Sequence, residues 1–422
     1  MNKVKIKEVC NILRGKEPGS NAYGKGNIPF IRVGTLSKPN NIVYIEENEK
    51  FRYVKKSDLL FSTDGSPGIV KMGFEGYISG GIVKIEPKNN KILNPKYIFY
   101  YLQTPQVQQI VKECSRGTTI KHASSCLDKI EIPLPSIEEQ EKIVQILDQV
   151  YENIGWDIED KIADLKALKK TAIDKAIRGL LTTQNHCESA EELYKNIQEE
   201  KEKLLKEGKI KKSKKDEINP INEDEIPFEI PKNWKWCRLG EVSYKLTDGS
   251  HNPPKGQSIK TDYLMLSSKN INNSMITNLK ECRYLNQSDY ESENNRTLLQ
   301  KEDLLLTTVG TIGRSCLYDG ELNIVLQRSV SVINTGFYNK YLKYLLDSNY
   351  GQSYLMEHAS GTAQKGIYLN QLKEMPVVIP PLEEQERIVN ILSAIDSAID
   401  SAIELQEDNK KLLDSLLNKF LN

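Results

Sequence analysis

One segment occurs twice in this chain and limits the folds open to it. Residues 132–136, Ile-Pro-Leu-Pro-Ser, lead into Ile137-Glu138-Glu139-Gln140-Glu141-Lys142-Ile143-Val144, and residues 378–381, Val-Ile-Pro-Pro, lead into Leu382-Glu383-Glu384-Gln385-Glu386-Arg387-Ile388-Val389. Each copy is a proline stop that launches a long helix. Ser136 is an N-cap and Glu139 can reach back to its amide, a capping box. In the second copy Pro381 replaces the serine, which the first helical turn tolerates, while Glu383 and Glu384 complement the helix dipole.

Downstream of the second copy, Ile388, Leu392, Ile395, Ile399, Ala402, Gln406, Asn409, Leu413, Leu416 and Phe420 alternate in steps of four and three. That is the seam of a coiled coil, and it needs a partner helix. The first copy begins alike with Ile143, Leu147, Val150 and Ile154, then slips to Ile158, Ile162 and Leu165, beside Trp156. Such a four-residue step locally unwinds a supercoil. At roughly 1.5 Å per residue each helix could reach about 60 Å, and the two are expected to pair with each other.

The repeat extends upstream. Asp58-Leu59-Leu60 with Gly65 and Gly68 matches Asp303-Leu304-Leu305 with Gly310 and Gly313 at the offset of 245 that links Glu138 to Glu383, and Gly117-Thr118 matches Gly361-Thr362 with one residue of slippage. Between these points, short β-branched and aromatic runs are separated by Gly, Pro, Asn and Asp, the pattern of compact α+β units. The expected division is a first recognition domain over 1–131, a spacer helix over 132–182, a helix and charged linker over 183–232, a second domain over 233–376 and a second spacer helix over 377–422. A helix is expected near 95–112, carrying Tyr97, Tyr100, Tyr101 and Val107, and another from Glu188 to Glu207, capped by Ser189 and Glu192 and ended by Gly208. The linker, basic at Lys209, Lys211, Lys212, Lys214 and Lys215, acidic at 223–225 and carrying prolines 220, 227 and 231, reads as a solvated tether or a nucleic-acid-contacting arm.

With 58 basic and 58 acidic side chains, net charge favours no partner class; a polyanion surface would have to be local. No apolar run approaches a membrane span and no signal-peptide core opens the chain, so a cytoplasmic protein is expected. Seven scattered cysteines without a C-x-x-C pair argue for reduced thiols and against a zinc site.

The paired Gly-x-x-Gly turns could cradle phosphate, with Ser62, Thr63, Thr307, Thr308 and Arg314 as nearby donors, or could simply be turns. Neither is followed by Lys-Ser/Thr, so neither is a P-loop. Asn252-Pro253-Pro254 resembles part of an amino-methyltransferase motif, but Lys255 stands where the base-stacking aromatic belongs, and a polar loop is the better reading. The loops 116–122 and 361–366 are short, polar and basic, suited to phosphate and base edges or to plain connection. No helicase motif, nuclease cluster or nucleophile–base constellation is present, so the chain is expected to be non-catalytic.

Two variable α+β halves, each closed by a Pro-rich Glu-Glu-Gln launch (133–140 and 380–385), together with the Asp-Leu-Leu runs, the stretch 192–212 and Pro227-Phe228-Glu229-Ile230-Pro231 before Trp234, resemble the specificity subunit of type I restriction-modification enzymes. The resemblance implies a DNA-reading scaffold with two target recognition domains joined by two long antiparallel helices that set the spacing of two half-sites. It implies partners: double-stranded DNA, two copies of a methylation subunit holding S-adenosylmethionine, and motor-nuclease subunits using ATP and Mg, with no cofactor or metal in this chain. The expected DNA contacts are Lys25, Arg32, Arg116, Thr119 and Lys121 in the first half, and Lys269, Arg314, Arg328 and Lys365 in the second. A stand-alone or silent recognition protein of the same fold, and a coiled-coil assembly scaffold without DNA specificity, are the competing readings.

Overall fold

The computed structural model describes residues 3–38, 41–117, 121–154, 158–182, 189–210, 218–361 and 365–421. Thr118, Thr119, Trp156, Lys211, Lys212, Lys214, Lys215 and Thr362, all named above, lie outside the described residues. The chain forms two compact units, one of residues 1–160 with 402–422 and one of residues 161–401. Each spacer helix is divided between the two units.

In the first unit a four-stranded antiparallel sheet has the order 10–14, 82–87, 59–62, 70–71, and a second sheet the order 43–45, 28–31, 76–78, 53–54, with 28–31 parallel to 76–78. The second unit repeats the plan. Its four-stranded sheet runs 243–248, 330–335, 304–307, 315–317, and its other sheet 283–285, 263–266, 323–326, again with one parallel pair. The short strand Lys3–Lys5 pairs with Glu131–Pro133 as Lys235–Arg238 pairs with Pro376–Ile379. The second half carries additions between its parallel strands, a hairpin over 271–276 and the helix Gln287–Thr297.

The helix expected over 95–112 is two helices, Pro95–Tyr101 and Pro105–Cys114. Thr104 accepts from the Val107 amide and Pro105 opens the next helix, so a cap and a proline interrupt the apolar periodicity. The second half breaks at a cap without a proline, Ser348 between Asn339–Asp347 and Asn349–Glu357.

The helix launches explain the Glu-Glu-Gln motif. Ser136 and Glu139 form the expected capping box, the Ser136 amide donating to Glu139 Oε2 at 3.0 Å and the Glu139 amide to Ser136 Oγ at 3.3 Å. Gln140 is wholly buried. Its Nε2 donates to the carbonyls of Ile92 and Pro135, both at 2.9 Å, and its Oε1 accepts from the Asn94 amide at 2.9 Å. Gln385, also wholly buried, accepts from the Tyr338 amide at 3.1 Å and donates to Pro380 O at 2.8 Å. Each glutamine pins a spacer helix to the loop before its domain's own helix pair.

The first spacer helix is described over Ile137–Ile154 and Ile158–Ala176, so the expected slip falls partly outside the described residues; the second runs unbroken from Leu382 to Leu421. Within the second unit, Lys169 pairs with Asp396 at 2.5 Å and Thr182 hydrogen-bonds Glu384, an antiparallel arrangement. Within the first, Leu147 shares a core with Leu417 and Leu421, while Gln406 Nε2 donates to Glu159 at 3.4 Å, antiparallel again. The buried Leu417 and Leu421 fall off the seam predicted from the sequence. There the helix plugs into a domain core whose face is wider than a coiled-coil seam.

The linker is corrected over its described part. Residues 218–231 are a strap docked on the second domain. Arg238, 4% exposed, donates to the carbonyls of Asn219 at 3.1 Å and Pro220 at 3.2 Å and to both oxygens of Glu225 at 2.8 Å. Phe228 is buried between Trp236 and Tyr350, with the Arg178 guanidinium 4.3 Å from its ring centre. The helix Ala190–Lys206 is capped by Ser189, closes on Gly208 at φ 69°, and buries Ile197 in the same core.

Candidate nucleic-acid interface

The Asp-Leu-Leu aspartates are structural. Asp58 accepts from the Lys55 amide at 2.8 Å and pairs with Lys84 at 3.2 Å; the wholly buried Asp303 accepts from the Gln300 amide at 2.8 Å and Asn334 at 2.8 Å and pairs with Lys245 at 2.7 Å. The Gly-x-x-Gly turns are likewise self-contained. All four glycines have positive φ, between 74° and 94°. Ser62 Oγ donates to Ser66 O and accepts the Ile69 amide; Thr307 Oγ1 donates to Thr311 O and accepts the Arg314 amide. Gln108 and Gln352 close them from outside, donating to Gly68 O at 3.1 Å and Gly313 O at 3.0 Å. Hydroxyls so engaged leave little for a phosphate, and the turn reading holds.

Beside these turns, loops from distant parts of each half converge on one edge of the sheets. In the first half the Gly15 amide donates to Ile82 O at 3.0 Å, the Ser79 amide to Ile31 O at 2.9 Å, and the Thr63 amide to Gly81 O at 2.8 Å. In the second, Gly249 donates to Val330 O at 3.1 Å, Gln327 to Leu266 O at 2.8 Å, and Thr308 to Ser329 O at 2.9 Å. The turn after each central strand is also shared: the Arg32 amide donates to Thr35 Oγ1 at 3.2 Å, and the Ser267 amide to Asn270 Oδ1 at 2.9 Å. The frame repeats, and its side chains do not. Arg14 stands where the second half has Asp248, Arg32 where it has Ser267, Gly34 where it has Lys269, and Gly80 where it has Arg328.

Most of the expected contacts meet at these clusters. Lys121 and His122 pair with Gly65 and Asp64, and Arg116 bridges His122 through the backbone. Arg32 is exposed beside Val33, whose side chain lies against Gly65 and Gly81. In the second half Lys269 and Arg328 line one cleft of about 450 Å³ with Ser268, Val309 and Ser329, and Lys365 adjoins it through the Val309–Gly366 bridge. Lys121, Lys269, Arg328 and Lys365 are exposed and have no ion-pair partner among the described residues. Two expected contacts lie at the margins of the clusters. Lys25 follows Tyr23, whose ring lies under the Arg32 guanidinium at 5.9 Å and whose hydroxyl donates to Glu17, itself bonded by the Gly80 amide, and Arg314 bonds Asn272 of the 267–272 turn and lines a neighbouring groove. Thr119 lies outside the described residues.

The sequence reading missed the ionic centres. In the first half Asp64 accepts from Arg14 at 3.1 Å and from His122 Nδ1 at 2.9 Å, and Arg14 also donates to Thr63 Oγ1 and Gly80 O. In the second Asp248 holds Arg296 and His251 Nε2, each at 2.6 Å. Burial alone would push the Asp248 carboxyl up, but hydrogen bonds from Arg296 and His251 and their charge hold it below the usual carboxylate range. The loop after Asp248 is the polar loop expected of Asn252-Pro253-Pro254: the Ser250 amide bonds Leu326 O at 2.7 Å and its carbonyl accepts the Arg328 amide at 2.9 Å.

A duplicated α+β frame that repeats its backbone and varies its exposed, largely cationic loop side chains defines a two-headed recognition protein. Residues 1–166 and 231–410 match the type I restriction modification DNA specificity domain, and the chain belongs to that family with two copies of the domain. It is 25% identical to the MjaVIII specificity subunit of Methanocaldococcus jannaschii over 99% of this chain and 90% of that one, and 24% identical to the EcoBI specificity subunit of Escherichia coli over 96% and 81%. The EcoEI specificity subunit of Escherichia coli is 29% identical over 62% of this chain, and the match spans 46% of that protein. The crystal structure of a type I restriction-modification S subunit from M. genitalium has the same fold, with a TM-score of 0.53 at 14% identity, covering 100% of this chain and 96% of that one. No helix among the described residues is long and apolar enough to cross a membrane.

Proposed function

We propose that this chain is the sequence-reading, non-catalytic subunit of a cytoplasmic type I restriction-modification complex, binding a bipartite double-stranded DNA target and directing adenine methylation and cleavage by its partners. One observation supports the reading most: the two halves build the same loop frame from the same backbone bonds and set different polar and charged side chains on it. A frame held constant while its readers vary is what two different half-sites require, since base edges are distinguished by donor and acceptor pattern. Lys121, Arg32 and Arg116 in the first cluster, and Lys269, Arg328 and Lys365 in the second, can reach phosphates or guanine edges. The chemistry belongs to the partners on this reading: S-adenosylmethionine to two methylation subunits, ATP and Mg to the motor-nuclease subunits.

The test is to co-express the chain with its genomic neighbours and map modified adenines by long-read sequencing. A motif of two short specified blocks around a fixed gap, lost when this chain is removed and altered in one block when one domain is exchanged, carries the reading. Adenine modification that is independent of this chain, together with no DNA affinity, leaves the coiled-coil scaffold instead.

A further inference from the structure

Arg314 lines a groove of about 530 Å³ within the second unit together with Lys166, Lys169 and Lys170 of the spacer helix. Lys166 and Lys170 are one helical turn apart, about 6 Å along the axis. Both are exposed and have no ion-pair partner among the described residues. Arg314 is exposed and bonds the neutral Asn272. Of the other polar lining, Asp347 pairs with Lys343 at 2.7 Å and takes Ser315 at 3.1 Å, Asn349 bonds Asp174, Gln352 bonds Gly313 and Leu346 carbonyls, and Lys169 pairs with Asp396, while Asn273 and Ser274 add neutral donors. The charge the groove still offers a ligand is positive.

The groove adjoins the reading loops. Asn272 donates to Lys269 O at 2.8 Å while its own carbonyl takes Arg314, and Thr311 on the glycine turn donates to Ser268 O at 3.4 Å. Through these bonds the 268–272 turn joins the cleft of Lys269 and Arg328, which Glu281 also lines, to the groove of Arg314, Lys166 and Lys170. The glycine turn itself does not ask for the Arg314 cation. The equivalent residue in the first half is Ile69, whose amide bonds Ser62 Oγ at 2.8 Å as the Arg314 amide bonds Thr307 Oγ1 at 2.9 Å.

We propose that this groove is a phosphate-backbone site for double-stranded DNA, holding the duplex against the spacer helix beside the second reading cluster without contributing to base choice. The inference rests on the DNA-reading function above. Each lysine or arginine that neutralises a phosphate releases counterions and adds roughly 0.9 to the slope of log affinity against log salt.

The experiment is a salt titration of the purified complex on two fluorescent duplexes, one of mixed sequence and one carrying the motif recovered by adenine mapping. The double variant Lys166→Gln/Lys170→Gln should lower the slope by about 1.8 on both duplexes and leave their affinity ratio unchanged. Arg314→Gln should lower it by about 0.9 with the same ratio, giving an independent reading if the double variant does not assemble. Slopes equal to wild type in both variants, with the wild type binding normally, overturn the groove site alone. A wild-type complex that binds neither duplex overturns the DNA-reading function instead, and a changed affinity ratio means that these cations act on base choice, contrary to the proposal.

Discussion

Gly15 and Gly249 occupy the same position in the two halves, each with its amide donated to the strand that follows the 78–82 or 326–330 loop and its Cα pressed on that loop. A Cβ at Gly15 would overlap the carbonyls of Ile78 and Ser79; one at Gly249 would overlap those of Leu326 and Gln327. Backbone is what stands in the way, so no rotamer change relieves the clash. Gly15→Ala should displace the first loop cluster and Gly249→Ala the second. Each should abolish adenine modification at the split motif while the complex still assembles, measured by long-read mapping and size-exclusion chromatography. Normal modification in both variants would mean that these loops are not where the target is read.

Arg238 makes the sharpest stability prediction. Its guanidinium is buried, and it ties the strap at 219–225 to the second domain through two carbonyls and a carboxylate. Removing it takes a charged donor from two carbonyls and from the part-exposed Glu225 carboxylate, all of which water can reach, a loss of about 1.5–3 kcal/mol. Arg238→Ala should lower the unfolding midpoint and open residues 218–228 to limited proteolysis. Arg238→Lys should recover little, because a point charge cannot replace the fork that spans Asn219, Pro220 and Glu225.

How much of this was readable beforehand depends on whether the signal was local. The duplicated α+β plan, the capping box at Ser136 and Glu139 and the pairing of the two long helices followed from repeats, periodicity and proline punctuation, while their antiparallel sense came from the family resemblance. The loop clusters did not, because Arg14 meets Asp64, and Arg296 meets Asp248, only after the strands pair. The hairpin at 271–276 and the helix at 287–297 also shift the numbering between the halves, so a search at one fixed offset misses the match of Gly15 with Gly249. The linker misled for a different reason. Its charges and prolines look solvated, while Phe228 and Asn219 are held by partners, Trp236 and Arg238, that lie beyond it in the chain.

The buried glutamines test the launch mechanism. Gln140→Ala would leave the Asn94 amide and the Ile92 and Pro135 carbonyls without their partner, at a cost of about 1–3 kcal/mol per stranded group. The expected result is a lower denaturant midpoint with unchanged far-UV helicity, since the spacer helix keeps its own capping box. Gln385→Ala should lose less, because its side chain makes two hydrogen bonds among the described residues against three for Gln140.

The Asp248 centre should show itself in acid. Its carboxyl is held below the usual range, so the native state binds fewer protons there than the unfolded chain, whose aspartates titrate near about 3.9. The stability it contributes is fully present above that value and is lost as pH falls through the lower, native value. Asp248→Asn should therefore destabilise the second unit at neutral pH, with a difference from wild type that shrinks on acidification and vanishes once the native carboxyl is protonated. Acid titrations of the unfolding midpoint for the two proteins give the comparison directly. A difference that stays constant down to the acid limit would mean that Arg296 and His251 do not depend on this charge for their positions, and that the second cluster is held by backbone bonds alone.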